Sequence, residues 1–250
     1  MNIIGKVDLY QESINQKKPF EKSALDEIRS YFRVGLTWTS NSLEGNGLTE
    51  IETKIAIEDG ITISGKPQRD TLEAIGHAAA YDYMSILSHT RAITEQDICQ
   101  LHRLFYERIH KQGAGIYRKH ESIIIGSSHP VTPPEEIETQ MKDLAQWIVA
   151  NRDQMHPIEF AAKLHLRFVF IHPYEDGNGR VARLIMNLAL LQDGYMLAIV
   201  PLVVRHEYIQ LLEHAHKNDR PFVDFIAERI NETQKDIMRL FHIKIPEMER

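Results

Sequence analysis

The chain is 250 residues long, 43% apolar and 26% charged, with a formal net charge of −6. That composition excludes disorder of the whole chain and supplies one substantial core, while the acidic balance argues against nucleic acid or an anionic membrane as a partner. The single cysteine, Cys99, excludes an internal disulfide framework and a cysteine-built zinc site.

In chain order, Met1 to Lys18 mixes Gly5, Lys6, Asp8, Gln11 and Glu12 among its apolar residues, unlike the apolar stretch of a signal peptide. Helices are expected around Lys22–Glu44, Thr49–Glu58 and Thr71–Leu87. Thr94 is placed to cap the next one, with Asp97 as its capping-box acid and Ile98, Leu101, Phe105 and Ile109 at helical spacing. The β-branched run Ser122–Gly126, followed by Ser127–Val131, predicts a short hairpin, the one extended element. Thr132 as N-cap, Pro133 at the first helical position and Glu135 at the third predict a helix carrying Ile137, Met141, Leu144 and Ile148. Pro157 opens a helix that Pro173 ends, and another begins near Gly179 and stops at Gly194. Two more are expected, over His206–Lys217 and from Pro221 onward, where Phe222, Phe225, Ile226 and Ile230 share a face. The apolar runs Leu184–Leu191 and Tyr195–Val204 are each too short to span a membrane. Roughly ten helices and one flap, with no repeat and no dividing linker, predict an all-α protein, soluble and cytoplasmic.

Reactive groups concentrate in one interhelical turn, from His172-Pro173-Tyr174-Glu175-Asp176-Gly177 to Asn178-Gly179-Arg180-Val181-Ala182-Arg183. Gly177 and Gly179 admit backbone conformations closed to other residues, so successive amide N–H groups can converge on an anion. The turn feeds a helix N-terminus, which favours phosphate. Arg180 and Arg183 are one turn apart and can reach the same anion. Asp176 is placed to hold a magnesium ion bridging phosphate oxygens, and His172 has the right unperturbed pKa to take a proton near neutral pH. Together these groups suggest phosphoryl-type transfer. The overlapping pattern from Gly177 to Ala182 fits a dinucleotide fingerprint, but that needs a preceding strand, and here a helix precedes it. No Walker A sequence occurs; His206-Glu207 lacks the second histidine of a zincin, because Gln210 stands there. His214 and His216, two apart on a helix, point in different directions and do not read as a metal pair.

The turn resembles the signature of the Fic (filamentation induced by cAMP) family, H-x-F-x-(D/E)-G-N-G-R-x-x-R. It matches at His172, Asp176, Gly177, Asn178, Gly179, Arg180 and Arg183, and departs at Tyr174, where the family usually has phenylalanine. Tyrosine keeps the packing if its hydroxyl finds a partner. Upstream, Ser40-Asn41-Ser42-Leu43-Glu44-Gly45 is similar to the family's inhibitory motif, (S/T)-x-x-x-E-(G/N). Gly115–Arg118, Ile123–Val131 and Pro133-Pro134 fall where such proteins carry the segment that clamps a target chain.

The resemblance implies a Fic-type helical bundle: residues 1–70 an N-terminal region with the inhibitory motif at 40–45, residues 71–230 the catalytic core, residues 231–250 a helical extension. It also implies transfer of AMP from ATP, with Mg²⁺, to a Ser, Thr or Tyr hydroxyl of a target protein. His172 would deprotonate that hydroxyl, and Asp176 would hold Mg²⁺ between the α- and β-phosphates. Gly177, Asn178 and Gly179 would cradle phosphates, with Arg180 facing the β-phosphate and Arg183 the γ-phosphate. Asn187 and Tyr208 are expected to contribute to the nucleotide pocket, and a target segment would add to the flap at Ile123, Ile124 and Ile125. Ser40 and Glu44 share a helix face, so Glu44 would pair with Arg183 in place of the γ-phosphate, and would also orient a water that removes AMP from a modified target. Two alternatives stay open: Fic-type transfer of another phosphate-linked group, and a non-catalytic nucleotide-binding adaptor. The sequence leaves a homo-oligomer open.

Overall fold

The computed structural model describes residues 2–17 and 21–246. Ten α-helices follow one another along them: α1 (Ile3–Asn15), α2 (Lys22–Ser42), α3 (Glu50–Asp59), α4 (Gln68–Leu87), α5 (Glu95–Tyr106), α6 (Ile137–Asn151), α7 (Pro157–Ile171), α8 (Asn178–Gln192), α9 (Arg205–His214) and α10 (Arg220–Leu240). Local signals start several of them where expected. The Asp97 N–H donates to Thr94 Oγ1 at 3.1 Å and the Thr94 N–H to Asp97 Oδ2 at 2.9 Å, a reciprocal capping box on α5 that Thr49 and Glu52 repeat on α3. Each box is worth about 1 kcal/mol. None of these helices is long and apolar enough to cross a membrane.

Helix α8 carries buried apolar residues nearly all round, among them Val181, Leu184, Ile185, Met186 and Leu188, so it can only be central. Helix α7 packs along it, joined to it by the short signature turn; α4 and α5 close one flank, and α6 and α10 cover α7. Helix α2 lies on α4 and reaches α8 with its C-terminal half. One apolar core runs from Ile4 to Ile243, with a small satellite of Leu48, Ala56 and Ala74.

Helix α1 is not among the expected elements. Its buried face of Ile4, Val7, Tyr10 and Ile14 finds its partner in α10, where the Gln234 amide donates to the Val7 carbonyl at 3.0 Å and to Gln11 Oε1 at 3.1 Å. Helix α10 passes unbroken through residues 230 and 231, so the boundary expected there falls inside one helix. Residues 1 and 18–20 of the expected N-terminal region, and 247–250 of the expected extension, lie outside the described residues.

Two local expectations fail. No strand forms among the described residues: the flap is irregular, with one turn in which the Ser127 N–H donates to the Ile124 carbonyl at 3.1 Å. Pro130 removes a donor from the returning arm. That arm is tied to α9 and the turn after it instead: the Ser128 N–H and hydroxyl donate to Glu213 Oε1 at 2.8 and 2.7 Å, and the His129 ring stacks on His216 at 3.8 Å. Nor does Thr132 cap α6. A residue preceding proline is kept out of the helical region, so Pro133 stays extended (ψ 147°) before Pro134, and a single 3₁₀ turn leads into Ile137. The Thr132 carbonyl instead accepts from the Arg118 guanidinium.

Candidate active site

The signature turn begins with a histidine in an unusual backbone state. His172 closes α7 at φ 52°, ψ 58°, the left-handed region usually left to glycine. Pro173 next to it disfavours continuing the helix, and buried Arg118 fixes the result. Its Nε donates to the His172 carbonyl at 2.8 Å and its backbone N–H to the Pro173 carbonyl at 2.9 Å. His172 thereby lines a cavity of about 330 Å³ shared with Glu44, Gly179, Arg183 and Tyr208. Burial, and secondarily the Arg118 charge, push the His172 imidazole down to about 4, so at neutral pH the ring is unprotonated and free to accept a proton.

Behind it, Tyr174 is fully buried and lies flat on His102, ring centroids 3.7 Å apart. Its hydroxyl has found a partner, donating to Cys99 Sγ at 3.6 Å. His102 braces the turn from α5, a role that its place on a capped helix gives no local sign of. The Gly115 N–H donates to its Nδ1 at 2.8 Å, which leaves Nε2 to donate to the Asp176 carbonyl at 3.0 Å. Asn178 spends its side chain on the same turn, accepting from the Tyr174 N–H at 2.9 Å and donating to the Tyr174 carbonyl at 2.7 Å. Gly177, at φ +82°, has no room for a side chain: a Cβ would stand 2.8 Å from Phe105. The first intrahelical bond of α8 runs from the Val181 N–H to the Gly177 carbonyl, which leaves the Asn178, Gly179 and Arg180 amides at an open helix N-terminus.

The two arginines part company. Arg180 lies 4.4 Å above the Phe105 ring, its Nη2 donates to Asp176 Oδ1 at 2.9 Å, and its Nη1 stands 3.3 Å from Glu73. It is buried outside the cavity. Asp176 also accepts from the Gly177 N–H at 2.6 Å and from Arg69. Glu73 and Arg69, both on α4, are further partners that the motif alone did not indicate. Among the described residues no cluster of three or more His, Cys, Asp or Glu could hold a metal. Asp176, one carboxylate with a third of its side chain exposed, fits a cation that takes one protein carboxylate and fills its remaining sites with phosphate oxygens and water, as magnesium does.

Arg183 faces the cavity and meets the upstream motif. Its Nε donates to Ser40 Oγ at 3.0 Å, its Nη2 to the Ser40 carbonyl at 2.8 Å and to Glu44 Oε1 at 2.7 Å, and its Nη1 to the Tyr208 hydroxyl at 3.4 Å. Tyr208 in turn bonds His165 Nε2 at 2.8 Å. The Glu44 carboxylate sits directly on the open end of α8: a Cβ at Gly179 would collide with Glu44 Oε1. Burial pulls the Glu44 carboxyl up, but the charges of Arg183 and Arg180 outweigh it and hold the group below its ordinary range. Asn187 is not in this cavity. It is fully buried one turn further on, donating to the Arg183 carbonyl at 2.9 Å and accepting from the Ala198 N–H at 2.7 Å, so it ties residue 198 to α8. Of the three flap isoleucines, Ile124 and Ile125 border the cavity, although Ile125 is 98% exposed, and Ile123, 88% exposed, lies outside it.

Four histidines around this site, three buried and His172 half-buried, are displaced downward from 6.5, burial being the largest cause in each: His77 and His165 to about 3, His102 and His172 to about 4. The folded state binds fewer protons than the unfolded state between those values and 6.5, so their contribution to stability is complete above pH 6.5 and is lost as pH falls toward 4. Each can remove about 1.4 kcal/mol per pH unit in that window. A steep fall in melting temperature between pH 6.5 and pH 4 is expected in thermal denaturation; a flat profile there would contradict neutral, buried rings.

The family model for the Fic/DOC family matches residues 92–190, which include α5, α7, the signature turn and most of α8. This chain carries a Fic domain. Protein adenylyltransferase Fic of Nematostella vectensis is 36% identical over 192 residues, covering 75% of this chain and 44% of that protein. Protein adenylyltransferase fic-1 of Caenorhabditis elegans is also 36% identical, over 75% of this chain and 37% of its own length. The chain thus spans less than half the length of these curated relatives. A solved structure of Fic-1 from C. elegans superposes with a TM-score of 0.86 at 29% identity, covering 96% of this chain and 72% of the other. The likeness therefore extends over the helices on both sides of the Fic domain.

Proposed function

We propose that this Fic protein is a protein adenylyltransferase, restrained by Glu44. The observation that carries the reading is one cavity lined by an unprotonated histidine, an arginine and the first turn of a helix with open amides. His172 takes the proton from a Ser, Thr or Tyr hydroxyl of a target protein as its oxygen attacks the α-phosphorus of ATP. The bond from that phosphorus to the oxygen bridging to the β-phosphate breaks, and pyrophosphate leaves. Arg183 and the Gly179 amide bind the terminal phosphates once Glu44 has withdrawn, and Arg180 reaches the β-phosphate by giving up Asp176. Asp176 would hold magnesium, which would supply neutralisation of phosphate charge. The exposed Ile123 and the cavity-lining Ile124 and Ile125 dock an extended target segment through main-chain contacts. A reducing, cytoplasmic setting agrees with the single cysteine, whose thiol lies among tyrosine hydroxyls.

The position of the label in ATP tests the reaction. With Mg²⁺ present, the unrestrained Glu44→Gly protein is expected to take up label from the α-phosphate and none from the γ-phosphate. Uptake of γ label would make the chain a kinase, and nucleotide binding without uptake of either would make it an adaptor.

A further inference from the structure

Glu44 blocks the end of α8 only while the turn that carries it stays in place. Helix α2 ends at Ser42, Leu43 is its C-cap, and Gly45 at φ +94° leads the chain away. Arg183 grips this turn at Ser40 and at Glu44 itself. A second guanidinium grips it between those points: Arg205 Nε donates to the Leu43 carbonyl at 2.7 Å. That carbonyl belongs to the end of α2, where carbonyls lack intrahelical partners and the helix dipole favours a cation. Arg205 is the first residue of α9, and a cation there is unfavourable for α9 itself, because it sits at the positive end of that helix. Its position is thus explained by what it does across the cavity, whose wall it shares with Glu44 and Arg183. The Leu43 side chain is buried, so the carbonyl it presents is fixed in direction.

We infer that Arg205 is a positioning residue for inhibition, latching the 40–45 turn so that Glu44 stays on the α8 N-terminus. This rests on the restrained adenylyltransferase reading above. It joins α9, which also anchors the flap through Glu213, to the inhibitory turn.

Two readouts test it. Arg205→Ala is expected to raise AMP incorporation about threefold to tenfold, the scale of one charge-assisted hydrogen bond at a partly exposed site. It is expected to add nothing in a Glu44→Gly background, and Arg205→Lys, which keeps a cationic donor, is expected to stay near the wild type. Amide exchange of residues 43–46, measured without nucleotide, is expected to speed up in Arg205→Ala. A lower rate of transfer in both backgrounds would make Arg205 a nucleotide ligand and overturn the inference, and so would transfer at the wild-type level. If Glu44→Gly itself transfers no AMP, the functional reading fails; exchange then decides alone, faster exchange supporting the latch and unchanged exchange overturning it.

Discussion

Glu44→Gly is expected to raise incorporation of AMP roughly 10- to 100-fold. The carboxylate removed is the acceptor of a 2.7 Å hydrogen bond from Arg183, and it covers the open amides of α8. A hydrogen bond between charged groups is worth about 1.5–3 kcal/mol, and each 1.4 kcal/mol is a factor of ten in the population of the competent arrangement. Because a third of the Glu44 side chain is exposed, screening by salt places the expectation toward the lower half of that range. The guanidinium is not stranded by the change, since Ser40 and Tyr208 keep their bonds to it and phosphate takes the vacated place. The measurement is label uptake from α-labelled ATP by equal amounts of wild-type and Glu44→Gly protein. Equal uptake would mean that the ion pair is ordinary packing at a helix end.

In that activated background, His172→Ala is expected to lower transfer about 100-fold or more, since general-base help to a hydroxyl contributes about 10²- to 10⁴-fold. Alanine is strained at φ 52°, so His172→Asn, a residue that tolerates the left-handed backbone, separates loss of the base from distortion of the turn. Both variants should still bind nucleotide. The acid limb of kcat/KM, which reports the free enzyme, should show no break near pH 6.5 and should extend below it until the fold itself is lost. The base works unprotonated, and burial with Arg118 has lowered its proton affinity. Transfer that survives both substitutions would remove the imidazole from the mechanism.

The signature turn was legible because it depends on short-range spacing, whereas the pairing of Glu44 with Arg183 joins residues far apart in the chain and was expected only from the family resemblance. Two glycines, two arginines a turn apart and an i, i+4 pair state their geometry within a few residues. The capping boxes at Thr49 and Thr94 are local in the same way. Other features were decided at long range. Asn187 is expected in the nucleotide pocket from the sequence, yet its amide is taken up by Arg183 and Ala198, and Arg180 rests on Asp176 and on the distant Glu73. Helix α1 depends on α10 for a place to bury its apolar face.

The chain by itself determined a helical protein with one glycine-rich interhelical turn, because periodicity, caps and glycine placement act within a helical turn or two. Only the tertiary structure decided that Arg118 would twist His172 out of its helix, that His102 would hold Asp176 by its backbone, and that the flap would be tied to α9 instead of folding into a hairpin. Those outcomes turn on where buried donors and acceptors find each other across the core. An unpaired polar group there costs about 1–3 kcal/mol, enough to override any local preference.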